Sequence, residues 1–116
     1  MGWDTEKYLA LFVTESTEHL EALARDVLTL EKAPTAAQVD DAFRHAHSLK
    51  GMASSLGFDG IARLAHRLED LLQKTRETLQ PMPRATLDVV LAAVDTMQLQ
   101  VRAARDHQPV PEASGL

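Results

Sequence analysis

The residues best placed to do chemistry lie in one short stretch, Ala42-Phe43-Arg44-His45-Ala46-His47-Ser48-Leu49-Lys50-Gly51. On a helix, Lys50 is three residues beyond His47 and Gly51 four, so both share its general face. Ser54, seven residues on, extends that face with another small side chain. Imidazole titrates near 6.5, so at neutral pH it offers a nitrogen lone pair as a nucleophile. A lysine beside it brings positive charge to the oxygens of a phosphoryl group. It does so without imposing a rigid geometry. The glycine needs its own reason, because a glycine within a helix costs roughly 1 kcal/mol relative to alanine. Close approach of another surface is such a reason, and Gly51 together with Ser54 leaves room for one.

A second stretch, Ala65-His66-Arg67-Leu68-Glu69, supplies a carboxylate. Ala46 and Leu49 face inward on their helix, which puts His47 one step off that seam. Leu68 faces inward on the next, which puts Glu69 one step off in the same way. The two side chains thus occupy equivalent edges of neighbouring helices. The spacing permits them to meet without requiring it. If they meet, Glu69 accepts the N–H of one imidazole nitrogen, fixes the tautomer and leaves the other nitrogen free to attack.

The elements that must hold these residues are helical throughout. A first helix is predicted over about 4–32, with Asp4 as N-cap and Leu9, Val13, Ser16, Leu20, Leu23, Val27 and Leu30 on its apolar side. Pro34 breaks the chain. Thr35 and Gln38 form a capping-box pattern that opens a second helix over about 36–56. Its seam is Val39, Ala42, Phe43, Ala46, Leu49, Ala53 and Leu56. Gly57 is placed to stop it, with Phe58 as the accompanying hydrophobic contact. Asp59 reads as the N-cap of a third helix over about 60–79, with Ile61, Leu64, Ala65, Leu68, Leu71, Leu72 and Leu79 in its stripe. Pro81 and Pro83 end it, and a fourth follows from about 83 to 105. Leu87, Val90, Leu91, Val94, Met97 and Val101 point inward there. Short links between amphipathic helices favour antiparallel neighbours. The fold class is therefore all-α, an antiparallel up-down four-helix bundle over residues 1–106. Residues 107–116 read as a linker or disordered tail, and the chain as a piece of something longer.

Composition narrows the function. A chain of 116 residues, 45% hydrophobic, holds one small domain. Without cysteine it has neither disulfides nor thiolate metal sites. No apolar run approaches the roughly 20 residues of a membrane span, and the N-terminus lacks a leader pattern, so a cytoplasmic location is expected. A net charge of −5 with no basic patch argues against nucleic acid. Arg63, Arg67, Lys74 and Arg76, interspersed with Glu69, Asp70 and Glu77, read as a solvated face. No phosphate-binding glycine loop is present, so the chain is expected to be a carrier and not an enzyme by itself. One reversed His-x-x-Glu off the seam is too little for a di-metal bundle, and no metal site is expected. His19, His45 and His107 read as boundary residues. His45 lies roughly 200° around the helix from His47 and cannot share a ligand with it. Met52, Met82 and Met97 read as core and loop filler.

The run His47-Ser48-Leu49-Lys50-Gly51, then Gly57-Phe58, then His66-Arg67-Leu68-Glu69, resembles the histidine phosphotransfer (HPt, P1) domain of CheA-type chemotaxis histidine kinases. The resemblance covers nearly the whole chain. It implies that His47 is phosphorylated, that Glu69 orients its ring, and that Lys50 and His66 complete the surroundings. It also implies that ATP and Mg²⁺ belong to partner domains, this chain holding no cofactor. The donor would be an ATP-binding kinase domain of the same polypeptide or its dimer mate. The acceptor would be an aspartate of a response-regulator receiver domain. One departure stands out: family members usually carry a fifth helix, whereas here a proline-containing tail follows the fourth. Two other readings fit the residues less fully, a stand-alone phosphorelay protein and a non-catalytic helical adaptor bundle.

Overall fold

Four amphipathic segments become four helices because each has one face that water disfavours and no strand-like alternation to compete. The computed structural model describes residues 2–111. Helix α1 spans Gly2–Leu28, α2 Ala36–Ser55, α3 Asp59–Thr78 and α4 Arg84–Arg105. A 3₁₀ turn, Thr29–Glu31, continues α1 and tucks Leu30 into the core. The helices form a ring in which α1 packs on α2 and α4, and α3 on the same two. The short connections alternate their directions, and the α2–α3 pairing is the most extensive. No helix of the described residues is long and apolar enough to cross a membrane.

The core is the predicted seam. Leu20, Leu23, Val27, Leu30, Val39, Ala42, Ala46, Leu49, Ala53, Ile61, Leu68, Leu72, Leu87, Val90 and Met97 are buried at its centre. Ala93, Gln100 and Ala104 join it from α4, and Met82 from the loop before α4. Both ends of the bundle are tied. At one end the Met82 N–H donates to the Leu30 carbonyl at 2.7 Å, and Arg84 reaches Glu31 at 2.8 Å. At the other end Phe58 stacks on Phe12 with ring centroids 5.1 Å apart.

The helix ends follow the sequence in two places and depart from it in four. The Thr35–Gln38 capping box is complete: Thr35 Oγ1 accepts from the Gln38 N–H at 3.2 Å, and Gln38 Oε1 from the Thr35 N–H at 2.9 Å. Gly57 adopts φ +78° and closes α2. Its N–H donates to Ser54 O at 3.2 Å and the Phe58 N–H to Ala53 O at 2.9 Å, the paired bonds of a Schellman stop. Asp59, however, is the first helical residue and not the N-cap. Phe58 holds that position with no side-chain cap. Only Leu56, Gly57 and Phe58 separate the helices, and Phe58 serves both: its N–H closes α2 on Ala53 O and its carbonyl accepts from the Ala62 N–H of α3. Asp59 still favours the helix as an acid in the first turn. Asp4 lies within α1, which begins at Gly2, and its side chain is outside the described residues. Leu56 and Leu79 are C-caps at 37% and 41% exposure, not seam residues.

After α4 the chain turns at His107, φ 55°, and runs back along the bundle. Val110 packs against the core, and Gln100 Nε2 donates to Pro111 O at 2.9 Å.

Gly57→Ala should destabilise the bundle by about 1 kcal/mol, because a Cβ disfavours the left-handed conformation. Urea unfolding followed by circular dichroism measures this; an unchanged midpoint would mean the turn can relax to another conformation.

Candidate functional site

His47 is held at the rim of α2 by its neighbours, since Ala46 and Leu49 are fully buried and leave it no room to turn inward. Leu68 does the same for Glu69 on α3. Antiparallel packing then sets the two rims side by side. His47 Nδ1 lies 2.5 Å from Glu69 Oε2, and Lys50 Nζ donates to Glu69 Oε1 at 2.7 Å. The carboxylate is therefore shared, one oxygen for each helical partner. Because a carboxylate accepts, the imidazole proton sits on Nδ1 and the lone pair on Nε2. The His47 side chain is 64% exposed while that of Glu69 is 11% exposed. The imidazole faces solvent and the carboxylate that holds it does not.

Electrostatics support this arrangement. Burial is the strongest influence on Glu69 and opposes its ionisation. Hydrogen bonds from Lys50 and His47, with their charges, outweigh it and hold Glu69 below its ordinary 4.5. Phe43, one turn before His47, adds a steric constraint. The two rings are nearly parallel, 10° apart in plane with centroids 6.2 Å apart. Arg76 covers the far face of this assembly, 4.6 Å from the Phe43 ring centroid, and is itself held by Asp40 at 3.1 Å.

Lys50 and Gly51 point to different sides of His47. At about 100° per residue, Lys50 lies some 60° to one side and Gly51 some 40° to the other. The Lys50 side meets α3. The Gly51 side meets a groove of about 560 Å³ between α1 and α2. Its walls include Tyr8, Leu11, Phe12, Ser48, Met52 and Leu56, and His47 stands at its margin. A Cβ built on Gly51 would meet nothing within 4 Å. The bundle itself gives no reason for glycine there. Ser54 is exposed between the two sides and does not line the groove; Ser48 and Ser55 do. His66 stands outside the His47–Glu69–Lys50 chain, with Nε2 3.7 Å from Asp70. Ligand-type atoms of His66, Glu69 and Asp70 lie within 4.8 Å of one another. Both Glu69 oxygens, however, are already engaged.

One cluster is not visible in the sequence. His19 on α1 and His45 on α2 meet with Nδ1 atoms 2.9 Å apart, and His45 Nε2 lies 3.6 Å from Asp26. Burial, and then the neighbouring His19, lowers His45 from its ordinary 6.5. Burial raises Asp26 above 3.8. Spacing within one helix cannot reveal a pair formed across two.

A bundle with a solvent-facing histidine oriented by a carboxylate of the next helix is the architecture of phosphotransfer domains. The chain belongs to the Hpt domain family, which it matches over residues 7–105. Within that family it is homologous to the CheA P1 phosphotransferase domain. It is 38% identical over 104 residues to chemotaxis protein CheA of Bacillus subtilis (strain 168), covering 89% of this chain and 16% of that protein. The fold is similar to the CheA phosphotransferase domain from Thermotoga maritima, with TM-score 0.77 and 39% identity over 84% of this chain and 93% of that one. It is also similar to the phosphorylated P1 domain of CheA3 in complex with CheY6 from R. sphaeroides. There the TM-score is 0.78 and the identity 27%, over 95% and 85% of the two chains. The chain thus spans only the phosphotransfer portion of the longer CheA relatives.

Because the folded state holds Glu69 below its unfolded value, its contribution to stability is complete above pH 4.5 and is lost as pH falls through the lower folded value. Glu69→Gln should therefore cost roughly 1–2 kcal/mol at pH 7, and the gap to the parent should close below pH 4.5. Urea midpoints of both chains from pH 3 to pH 8 read this directly, those limits spanning roughly the carboxylate and imidazole ranges. A gap independent of pH would rule out an ionised Glu69 as its source.

Proposed function

We propose that this chain is a phosphohistidine carrier of chemotaxis-type two-component signalling. His47 Nε2 attacks the γ-phosphorus of ATP held by a kinase domain of the same polypeptide or its dimer mate. The N–P bond forms as the bond from phosphorus to the β,γ-bridging oxygen breaks, and ADP leaves. The proton stays on Nδ1, where the Glu69 carboxylate offsets the charge the ring gains. In the second step an aspartate oxygen of a receiver domain attacks the same phosphorus, the N–P bond breaks and the imidazole is restored. Mg²⁺ and the electrostatic clamp on the phosphoryl oxygens come from the partner domains, as phosphoryl transfer requires. The observation that carries this reading is the division of the His47 ring, Nδ1 held by a nearly buried carboxylate and Nε2 on the exposed side.

The residues around His47 have separable duties. Glu69 is a positioning residue. Lys50 holds Glu69 in place and ionised, and its charge lies close to the transferred group. His66 borders the carboxylate from the solvent side. The apolar groove between α1 and α2 is the docking surface for the receiver, with Gly51 leaving space beside the reacting ring. A relative's P1 domain in complex with a CheY protein supports a receiver as the partner. The parent protein is a histidine kinase acting in the cytoplasm, where ATP and receiver domains are found.

Incubation with the cognate kinase domain and labelled ATP should give one acid-labile phosphate on the parent chain and none on His47→Gln. Equal labelling of that variant would overturn the assignment. Glu69→Gln should fold and label more slowly by about 10–100-fold, the loss of a charge-assisted hydrogen bond being worth about 1.5–3 kcal/mol. Gly51→Ala separates docking from folding. It should stabilise the free domain by about 0.5–1 kcal/mol, since the new methyl meets only open space. It should also slow transfer to the receiver; undiminished transfer would remove Gly51 from the docking surface.

A further inference from the structure

The His19–His45 pair lies outside the phosphotransfer chemistry. Two imidazole nitrogens face one another across the α1–α2 seam at 2.9 Å, with the rings tilted by 57° and their centroids 5.2 Å apart. Such a contact admits only one hydrogen, so at least one nitrogen presents a lone pair. Its length also matches a coordination chord. Two metal–nitrogen bonds of about 2.05 Å at a right angle place their nitrogens about 2.9 Å apart, whereas a tetrahedral angle needs about 3.3 Å. Right-angled nitrogen donors suit tetragonal and octahedral ions.

Asp26 supplies a further feature. Its carboxylate lies 3.6 Å from the other nitrogen of His45. This is just beyond hydrogen-bond length, but the carboxylate's charge favours a proton on that nitrogen and so leaves Nδ1 with its lone pair; closing the gap would make Asp26 the usual outer partner of a metal-bound histidine. Both histidines are only partly buried, and His19 also lines the open groove between α1 and α2. Water therefore has access to the remaining coordination positions, and an ion has a way in.

We propose that His19 and His45 form an interhelical chelating site for a divalent transition-metal ion of the Ni²⁺ or Cu²⁺ class. The two Nδ1 atoms ligate, Asp26 orients His45, and water completes the shell. Small rotations of the two rings turn their lone pairs from one another toward a common point. The ion replaces the shared hydrogen as the link between α1 and α2, and that proton moves to His19 Nε2 as the ring changes tautomer. Because the two nitrogens come together only in the folded bundle, the ion binds the native state and raises its stability.

The test is calorimetric titration of the full chain with NiCl₂, together with thermal unfolding with and without EDTA. One ion per chain and a rise in Tm of several degrees, reversed by EDTA, are expected. His19→Gln and His45→Gln should each weaken binding at least tenfold. Asp26→Asn should weaken it by about 10–100-fold. His66→Ala and His47→Gln should bind as the parent does. If His66→Ala abolishes binding, the ion sits at the surface His66–Asp70 pair and the proposal fails. It fails equally if both glutamine variants bind normally, or if the parent shows neither heat nor a shift in Tm. Electron paramagnetic resonance of the Cu²⁺-loaded parent needs no variant to fold. Two equivalent nitrogen couplings support the site, and one or none overturns it.

Discussion

The arrangement around His47 depends on one carboxylate that answers to two helices. Glu69 stands on α3, yet both of its oxygens are taken by α2, one by His47 and one by Lys50. A single hydrogen bond would leave the carboxylate free to rotate. Two bonds from residues three apart on one helix face fix its plane, and the plane fixes the imidazole. Burial would tend to neutralise the group, and the two donors prevent it. The same contact therefore sets geometry, tautomer and charge.

Everything beneath that contact serves to keep α2 and α3 in register. The Schellman stop at Gly57 makes the turn so tight that Phe58 both ends α2 and begins α3. Little slack remains for one helix to slide along the other. Phe58 is anchored in turn by Phe12 of α1. At the opposite end the Met82–Leu30 backbone bond ties the loop before α4 to the end of α1. Neither clamp lies near His47. Both bear on it through rigid helices about 30 Å long, at 1.5 Å per residue.

The outer face of α2 is divided by residue type. On the α3 side are charges that hold the ring. On the α1 side is an apolar groove with a glycine at its edge. A helix can separate the two because successive residues step round its axis by about 100°. His47 lies on the boundary and belongs to both. His19 of α1 also lines this groove, and its neighbour His45 lies roughly 200° around α2 from His47.

The sequence by itself determined the four helices and their inward faces, and it singled out His47 as the candidate phosphoacceptor. Apolar periodicity, the Thr35–Gln38 box and Gly57 are local signals, and local backbone physics acts within a few residues. It also marked Lys50, Gly51 and Glu69 as unusual for their positions. Only the tertiary structure decided which of them touch. The His47–Glu69 bond spans 22 residues of chain and exists because two helix rims are set side by side. The split between Lys50 and Gly51, the placing of His66 beside Asp70 at the solvent side of Glu69, the position of Ser54 off the groove, and the burial of Gln100 depend likewise on neighbours distant in sequence. So does the meeting of His19 with His45. Periodicity tells a side chain which way to face, and packing alone supplies what it faces.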